Sequence, residues 1–157
     1  MSVQGHYNLL FREEEREMLP YCHEEGIALT PYSPLAGGRL SRLPDGTPTR
    51  RLAEDEYAKL KYDSTEAQDR LIVERVAKVA EARGASMTEV ALAWLMRRTT
   101  APVVGMTKPS HVEDAVRAVE LRLTDDEVAY LEAPYVPHRL VGVMAQTAPT
   151  TASDSHV

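Results

Sequence analysis

The chain has 157 residues, 43% hydrophobic and 27% charged, which is enough for one globular domain with its own core. Its net charge of −6 speaks against nucleic acid as a partner, because phosphate neutralisation needs a basic surface. No apolar run reaches the ~18–20 residues of a membrane span; the N-terminus has no leader pattern, and the one cysteine, Cys22, has no internal disulfide partner, so a reducing cytoplasm is expected.

In chain order, Val3, Tyr7, Leu9, Leu10 and Phe11 around Gln4 and Asn8 predict a strand running into a loop. The charged block at residues 12–17 then opens a helix with Met18, Leu19 and Cys22 on its buried side, kinked or restarted at Pro20 and stopped by Gly26. Its acidic run, Glu13-Glu14-Glu15, reads as a solvated first turn.

The segment Gly26-Ile27-Ala28-Leu29-Thr30-Pro31 is short and apolar enough for a buried strand. Tyr32, Ser33, Pro34 and the pair Gly37-Gly38 follow where that strand ends. An α/β fold places its ligand at the C-terminal ends of parallel strands, and glycines let backbone amides approach an anion. An ordinary exit loop fits the same residues.

Residues 41–63 are polar and contain Pro44, Asp45, Gly46, Pro48 and Arg50-Arg51, a lid or a bare connection, with a short helical turn within 52–62. Asp63-Ser64-Thr65 caps a helix over 66–83 with Ile72, Val76, Val79 and Ala80 on one face, ended by Gly84. Ser86-Met87-Thr88-Glu89 is a capping box for an almost wholly apolar helix, with Trp94 in the core. Ala101-Pro102-Val103-Val104 predicts a third buried strand. Gly105, Thr107 and Lys108 then precede a helix capped by Ser110 and Glu113, its inner face Val112, Ala115, Val116 and Val119. A helix start of this kind offers free amides and a positive dipole end to an anion. Thr124-Asp125-Asp126-Glu127 caps the final helix, with Val128 and Leu131 inward, and residues 136–157 form an irregular tail expected to be disordered.

Strands alternating with helices argue for a parallel α/β sheet, yet three strands leave it incomplete. The series Gln4-x-x-Tyr7-Asn8-Leu9-Leu10, Gly26-Ile27, Tyr32-Ser33-Pro34-Leu35-Ala36-x-Gly38-x-Leu40, Val90-Ala91-Leu92-Ala93-Trp94-Leu95 and Val104-Gly105-x-Thr107-Lys108, with His111 and Asp114, resembles the C-terminal half of the aldo-keto reductases over residues 1–135. The resemblance implies a partial TIM (β/α)8 barrel: the last three βα units, carrying the sixth to eighth strands, plus the C-terminal helix. It implies NADP(H) as cofactor and a small carbonyl compound as substrate of the complete enzyme. By the same resemblance, Gln4 meets the nicotinamide carboxamide and Tyr32 stacks on its ring. Ser33, Leu35, Gly38 and Arg39 hold the pyrophosphate. Gly105, Thr107 and Lys108 surround the adenosine 2′-phosphate, and His111 and Asp114 contact the ribose phosphate and adenine. Ala115 departs from the asparagine frequent at its place.

The family's catalytic Asp, Tyr, Lys and His belong to earlier strands, so no catalytic residue is assigned within this chain. Tyr7, His6 and Lys108 do not match them, and no metal site is expected. Three readings stay open: part of a reductase, inactive alone; a dinucleotide-binding module working with a complementary chain or as a homo-oligomer; or a structural relic.

Overall fold

The computed structural model describes residues 1–44 and 56–138, apart from the side chain of Tyr57. Strands β1 (Ser2–Val3) and β2 (Ala28–Leu29) pair in parallel, Ser2 opposite Ala28 and Val3 opposite Leu29. The ladder continues beyond them, with Thr30 N donating to Val3 O at 2.8 Å, Tyr32 N to Gly5 O at 2.9 Å, and a parallel bridge between His6 and Tyr32. On the opposite edge of β2, Thr100 N donates to Leu29 O at 3.0 Å and Val103 N to Pro31 O at 2.8 Å. Both series ascend together, so residues 100–103 run parallel to β2, which is the middle of three extended segments.

That third segment corrects the expected buried strand. It advances three residues against two on β2, a bulge at Pro102, which has no N–H to donate. Val103 is 47% exposed, on a segment at one edge of the three.

The helices follow the sequence more closely. The acidic block forms a 3-10 turn (Glu13–Glu15), and α1 (Met18–Glu24) restarts with Pro20 in its first turn, where no intrahelical N–H is needed. The solvated acidic turn is overturned. Glu13 is buried, accepting from Arg16 at 3.0 Å and from the Tyr135 hydroxyl at 3.2 Å, while Glu15 accepts from Tyr7 and Arg12 at 2.6 and 2.8 Å. Glu14 lies against Gly5, where a Cβ would meet its Oε1 at 2.6 Å, and burial raises its pKa.

Helix α2 (Glu56–Tyr62) is the short turn expected within 52–62. Helix α3 (Glu66–Arg83) buries Ile72, Val76, Val79 and Ala80 and ends on Gly84, whose φ of 61° needs no Cβ and whose N–H reaches Ala80 O and Glu81 O. Thr65 does not cap it, since its hydroxyl donates to Asp69 Oδ2 at 2.8 Å instead. Helix α4 (Met87–Met96) is capped by Ser86, whose Oγ accepts from Glu89 N at 3.1 Å. The return half of that box is missing because Glu89 binds Arg117 at 2.7 Å.

Helix α5 (Pro109–Glu120) departs furthest from expectation. It starts at Pro109 with Lys108 as N-cap, so Ser110 and Glu113 make no capping box. Proline's preset φ opens the helix without a side-chain cap. The predicted inner face is turned outward: Val112, Val116 and Val119 are 47%, 59% and 55% exposed, and only Ala118 is buried. Helix α6 (Asp125–Glu132) has the complete Thr124–Glu127 capping box and buries Leu131. The core joins Tyr7, Leu9, Leu10, Phe11 and Leu29 to Leu40, Tyr62, Ile72, Val76, Trp94, Leu95 and Leu131. Residues 136–138 continue past α6 and bury His138; the rest of the expected tail lies outside the described residues.

Candidate functional site

The carboxyl ends of the three parallel segments lead into residues 4–8, 32–40 and 104–108, the places where an α/β fold collects its ligand groups. Gln4 is exposed at the first. At the second, Ser33 (φ 54°) and Ala36 (φ 49°) occupy the left-handed region that disfavours a side chain. The Asn8 amide holds the turn by donating to Ser33 O at 2.8 Å. Gly37 and Gly38 complete it with φ of 67° and 99°. Several amides of this turn face inward, from Ala36 to Ser33 O, Gly38 to Leu35 O and Arg39 to Ala36 O. Leu35 is half-buried against the core.

Tyr32 has two close neighbours, which are bonded to each other at 2.8 Å. The His6 ring stacks on it with centroids 5.2 Å apart, and Lys61 Nζ lies 5.4 Å from its centroid and 3.3 Å from its hydroxyl. Arg39 is engaged as well, donating to Asp63 Oδ1 at 2.6 Å and lying over Tyr62 at 5.1 Å.

The third loop is open. Gly105, Met106, Thr107 and Lys108 are exposed, and a Cβ at Gly105 would meet nothing among the described residues within 4 Å. The His111 ring turns back on this loop, its Nδ1 accepting from Thr107 N at 3.3 Å, so the tautomer there carries its proton on Nε2. Asp114 pairs with Arg117 within α5. Of the eleven residues singled out, Tyr32, Ser33, Leu35, Gly38 and Arg39 fall in one turn, Gly105, Thr107 and Lys108 in a second loop with His111 and Asp114 on the helix after it, and Gln4 stands apart just after β1.

A linear reading missed the buried polar cluster beside Tyr32. Lys61, as an ammonium, can only donate, so its 2.8 Å bond makes His6 Nδ1 the acceptor. His6 Nε2–H then donates to the Tyr62 hydroxyl at 2.6 Å, which also accepts from Asn8 Nδ2 at 2.9 Å. Behind Tyr62, His138 Nε2 meets Asp69 Oδ1 at 2.7 Å, its ring edge-on to Phe11 and Tyr62, with Nδ1 buried and without a partner among the described residues. The bonded pairs of this group lie 54 to 56 positions apart in the chain, so no local motif announces it. Although it unites a Tyr, a Lys and a His, His6, Lys61 and Tyr62 are at most 7% exposed, which shields them from a solvent-borne substrate. Burial also raises the Tyr62 pKa, the wrong direction for an acid working near neutrality.

Burial, then the Lys61 charge, then that of His138, push the His6 pKa down to about 3. The folded state thus binds fewer protons than the unfolded chain, whose histidine titrates near 6.5. The contribution of neutral His6 is fully present above pH 6.5 and is lost as pH falls from there through about 3. His6 ring NMR shifts are expected to stay flat from about pH 8 to about 4, and His6→Phe to flatten the acid slope of stability. A His6 titration near its ordinary value would refute the buried neutral ring.

Among the described residues no helix is long and apolar enough to cross a membrane, and no group of three or more His, Cys, Asp or Glu could hold a metal ion. The sequence pattern of the Aldo/keto reductase family matches residues 1–135. The chain belongs to this family. An aldo-keto reductase of Fusarium vanettenii is 42% identical over 142 residues, covering 90% of this chain and 38% of the relative. The versiconal hemiacetal acetate reductase of Aspergillus parasiticus is 40% identical over 139 residues, 87% of this chain and 40% of the relative. A solved glycerol dehydrogenase of Gluconobacter oxydans superposes with a TM-score of 0.69 at 25% identity, over 89% of this chain and 44% of its own. The aldo-keto reductase chain described here therefore spans about two fifths of the length of the curated relatives it matches, and its α/β fold is part of the family's barrel.

Proposed function

We propose that this chain is the cofactor-cradling part of an NADP(H)-dependent carbonyl oxidoreductase, working in the cytoplasm once the remaining barrel strands are supplied. The observation that carries the reading is the family match over residues 1–135, joined to the parallel register that brings Tyr32–Arg39 and Gly105–Lys108 to the same end of adjacent segments. The cofactor, when bound, supplies a hydride to a carbonyl carbon. The chain's own residues bind and orient it. Gln4 holds the carboxamide, Tyr32 the ring, and Ser33, Leu35, Gly38 and Arg39 the pyrophosphate. Thr107 and Lys108 meet the 2′-phosphate at the start of α5, with His111 and Asp114 alongside. The fit is uneven: the Gly105–Lys108 end is exposed, while at the other end Lys61 Nζ already meets the Tyr32 hydroxyl at 3.3 Å.

The test is calorimetric titration of the 157-residue chain with NADPH, followed by an NADPH-oxidation assay over a panel of aldehydes and ketones. Saturable NADPH binding without turnover is expected, since the Tyr/Lys/His group among the described residues is buried and the family's catalytic residues match nothing in this chain. Turnover in the usual range of about 1–10³ per second, abolished by a substitution within this chain, would overturn the cradle-only role. Absence of NADPH binding would overturn the reading itself.

A further inference from the structure

We propose that α2 and Asp63 form a built-in occupant of the dinucleotide bed, so that NADP(H) binds only by displacing them. The inference rests on the cofactor assignment above. The contacts of this segment fall on the same groups that the assignment reserves for the cofactor. Lys61 Nζ sits 3.3 Å from the Tyr32 hydroxyl and 5.4 Å from its ring centroid, a cation beside the ring that the assignment reserves for the nicotinamide. The Asp63 carboxylate binds Arg39 at 2.6 Å, an anion where the pyrophosphate would stand. Between them Ala58 abuts the glycine turn, its Cβ 3.1 Å from the position a Cβ would take on Gly37. One short stretch thus offers a cation to the aromatic end and an anion to the basic end of the bed, matching the charge order of the ligand.

The segment is held in place, since Tyr62 is 2% exposed and bonded to His6 and Asn8. A docked occupant lowers apparent affinity by the fraction of molecules in which the bed is free. Weakening the occupant's grip therefore strengthens binding. A segment that closes over bound cofactor gives the opposite sign on both measurements below.

NADP⁺ is titrated calorimetrically into the full chain, Lys61→Ala and Asp63→Asn, and trypsin cleavage after Lys59 and Lys61 is timed in wild type with and without saturating NADP⁺. Asp63 is 53% exposed at its side chain, so Asp63→Asn leaves the fold intact should Lys61→Ala disturb it. The expected result is a Kd lower by about 5- to 10-fold in the variants, the effect of losing one partly buried polar contact, with faster wild-type cleavage on adding NADP⁺. Binding with slowed cleavage, or variants binding no more tightly than wild type, overturns the displacement alone. Absence of binding to all three proteins overturns the cofactor assignment and this proposal together.

Discussion

Replacing Trp94 by alanine is expected to remove about 3–5 kcal/mol of stability, the range for deleting a large buried aromatic. The ring is 0% exposed in α4 and tilts against Tyr7 with centroids 5.4 Å apart. Its indole N–H donates to Glu132 Oε1 at 2.7 Å, tying α4 to the end of α6. Arg12 and Arg98 lie 5.7 and 5.3 Å from the ring, and both also pair with Glu132. Alanine opens a cavity and removes the surface on which two guanidinium groups rest. Against a total of about 5–15 kcal/mol for an ordinary domain, that loss leaves little margin. Trp94→Phe separates the two contributions, retaining an aromatic ring while losing the N–H bond, and is expected to cost about 1–2 kcal/mol. Urea unfolding of the three proteins checks both values. An alanine variant with a wild-type midpoint would show that the Trp94–Glu132 junction does not hold the helices together.

Lys108→Ala is expected to weaken NADPH by about 10- to 100-fold while leaving NADH nearly unchanged. Lys108 is the exposed N-cap of α5, with no side-chain capping bond of its own. A cation there opposes the positive end of the helix dipole, which disfavours it by about 0.3–1 kcal/mol when nothing is bound. A phosphate reverses that sign by joining the ammonium, the Thr107 hydroxyl and the first amides of the helix, and charge-assisted bonds of this kind contribute on the order of 1.5–3 kcal/mol each. Only the 2′-phosphate distinguishes the two cofactors. Stability and selectivity should therefore part company, the variant melting no lower than wild type while losing preference for NADPH. Calorimetric titration of both cofactors, with a thermal melt of each protein, decides the matter. Equal losses for NADPH and NADH would show that Lys108 does not read the 2′-phosphate.

Local signals were enough to read α3 and α6. The 3.6-residue spacing of Ile72, Val76, Val79 and Ala80 and the glycine at position 84 set α3, and the reciprocal Thr124–Glu127 pair set the start of α6. The turn at Ser33–Gly38 was legible as a polar, glycine-bearing interruption after an apolar run, and the family resemblance lay in the order and spacing of such pieces. These features depend on neighbours within a few residues, so the chain states them without its fold.

Long-range competition decided the rest. Glu13, Glu14 and Glu15 had the composition of a solvated turn, but Arg12, Arg16, Tyr7 and Tyr135 supply partners from up to 122 residues away, and the acids fold inward. Val112, Val116 and Val119 had the spacing of a buried face, but periodicity says only that a helix has an apolar side. Whether that side is covered depends on what lies beside it, and α5 instead turns Ala118 inward. The sequence by itself determined that these helices form, where α3 stops and α6 starts, the glycine-bearing turn after β2, and the family. The tertiary structure alone decided that Lys61 and Tyr62 meet His6 and Tyr32 and that Asp63 meets Arg39, because those pairings join charges and rings from segments 24 to 56 residues apart.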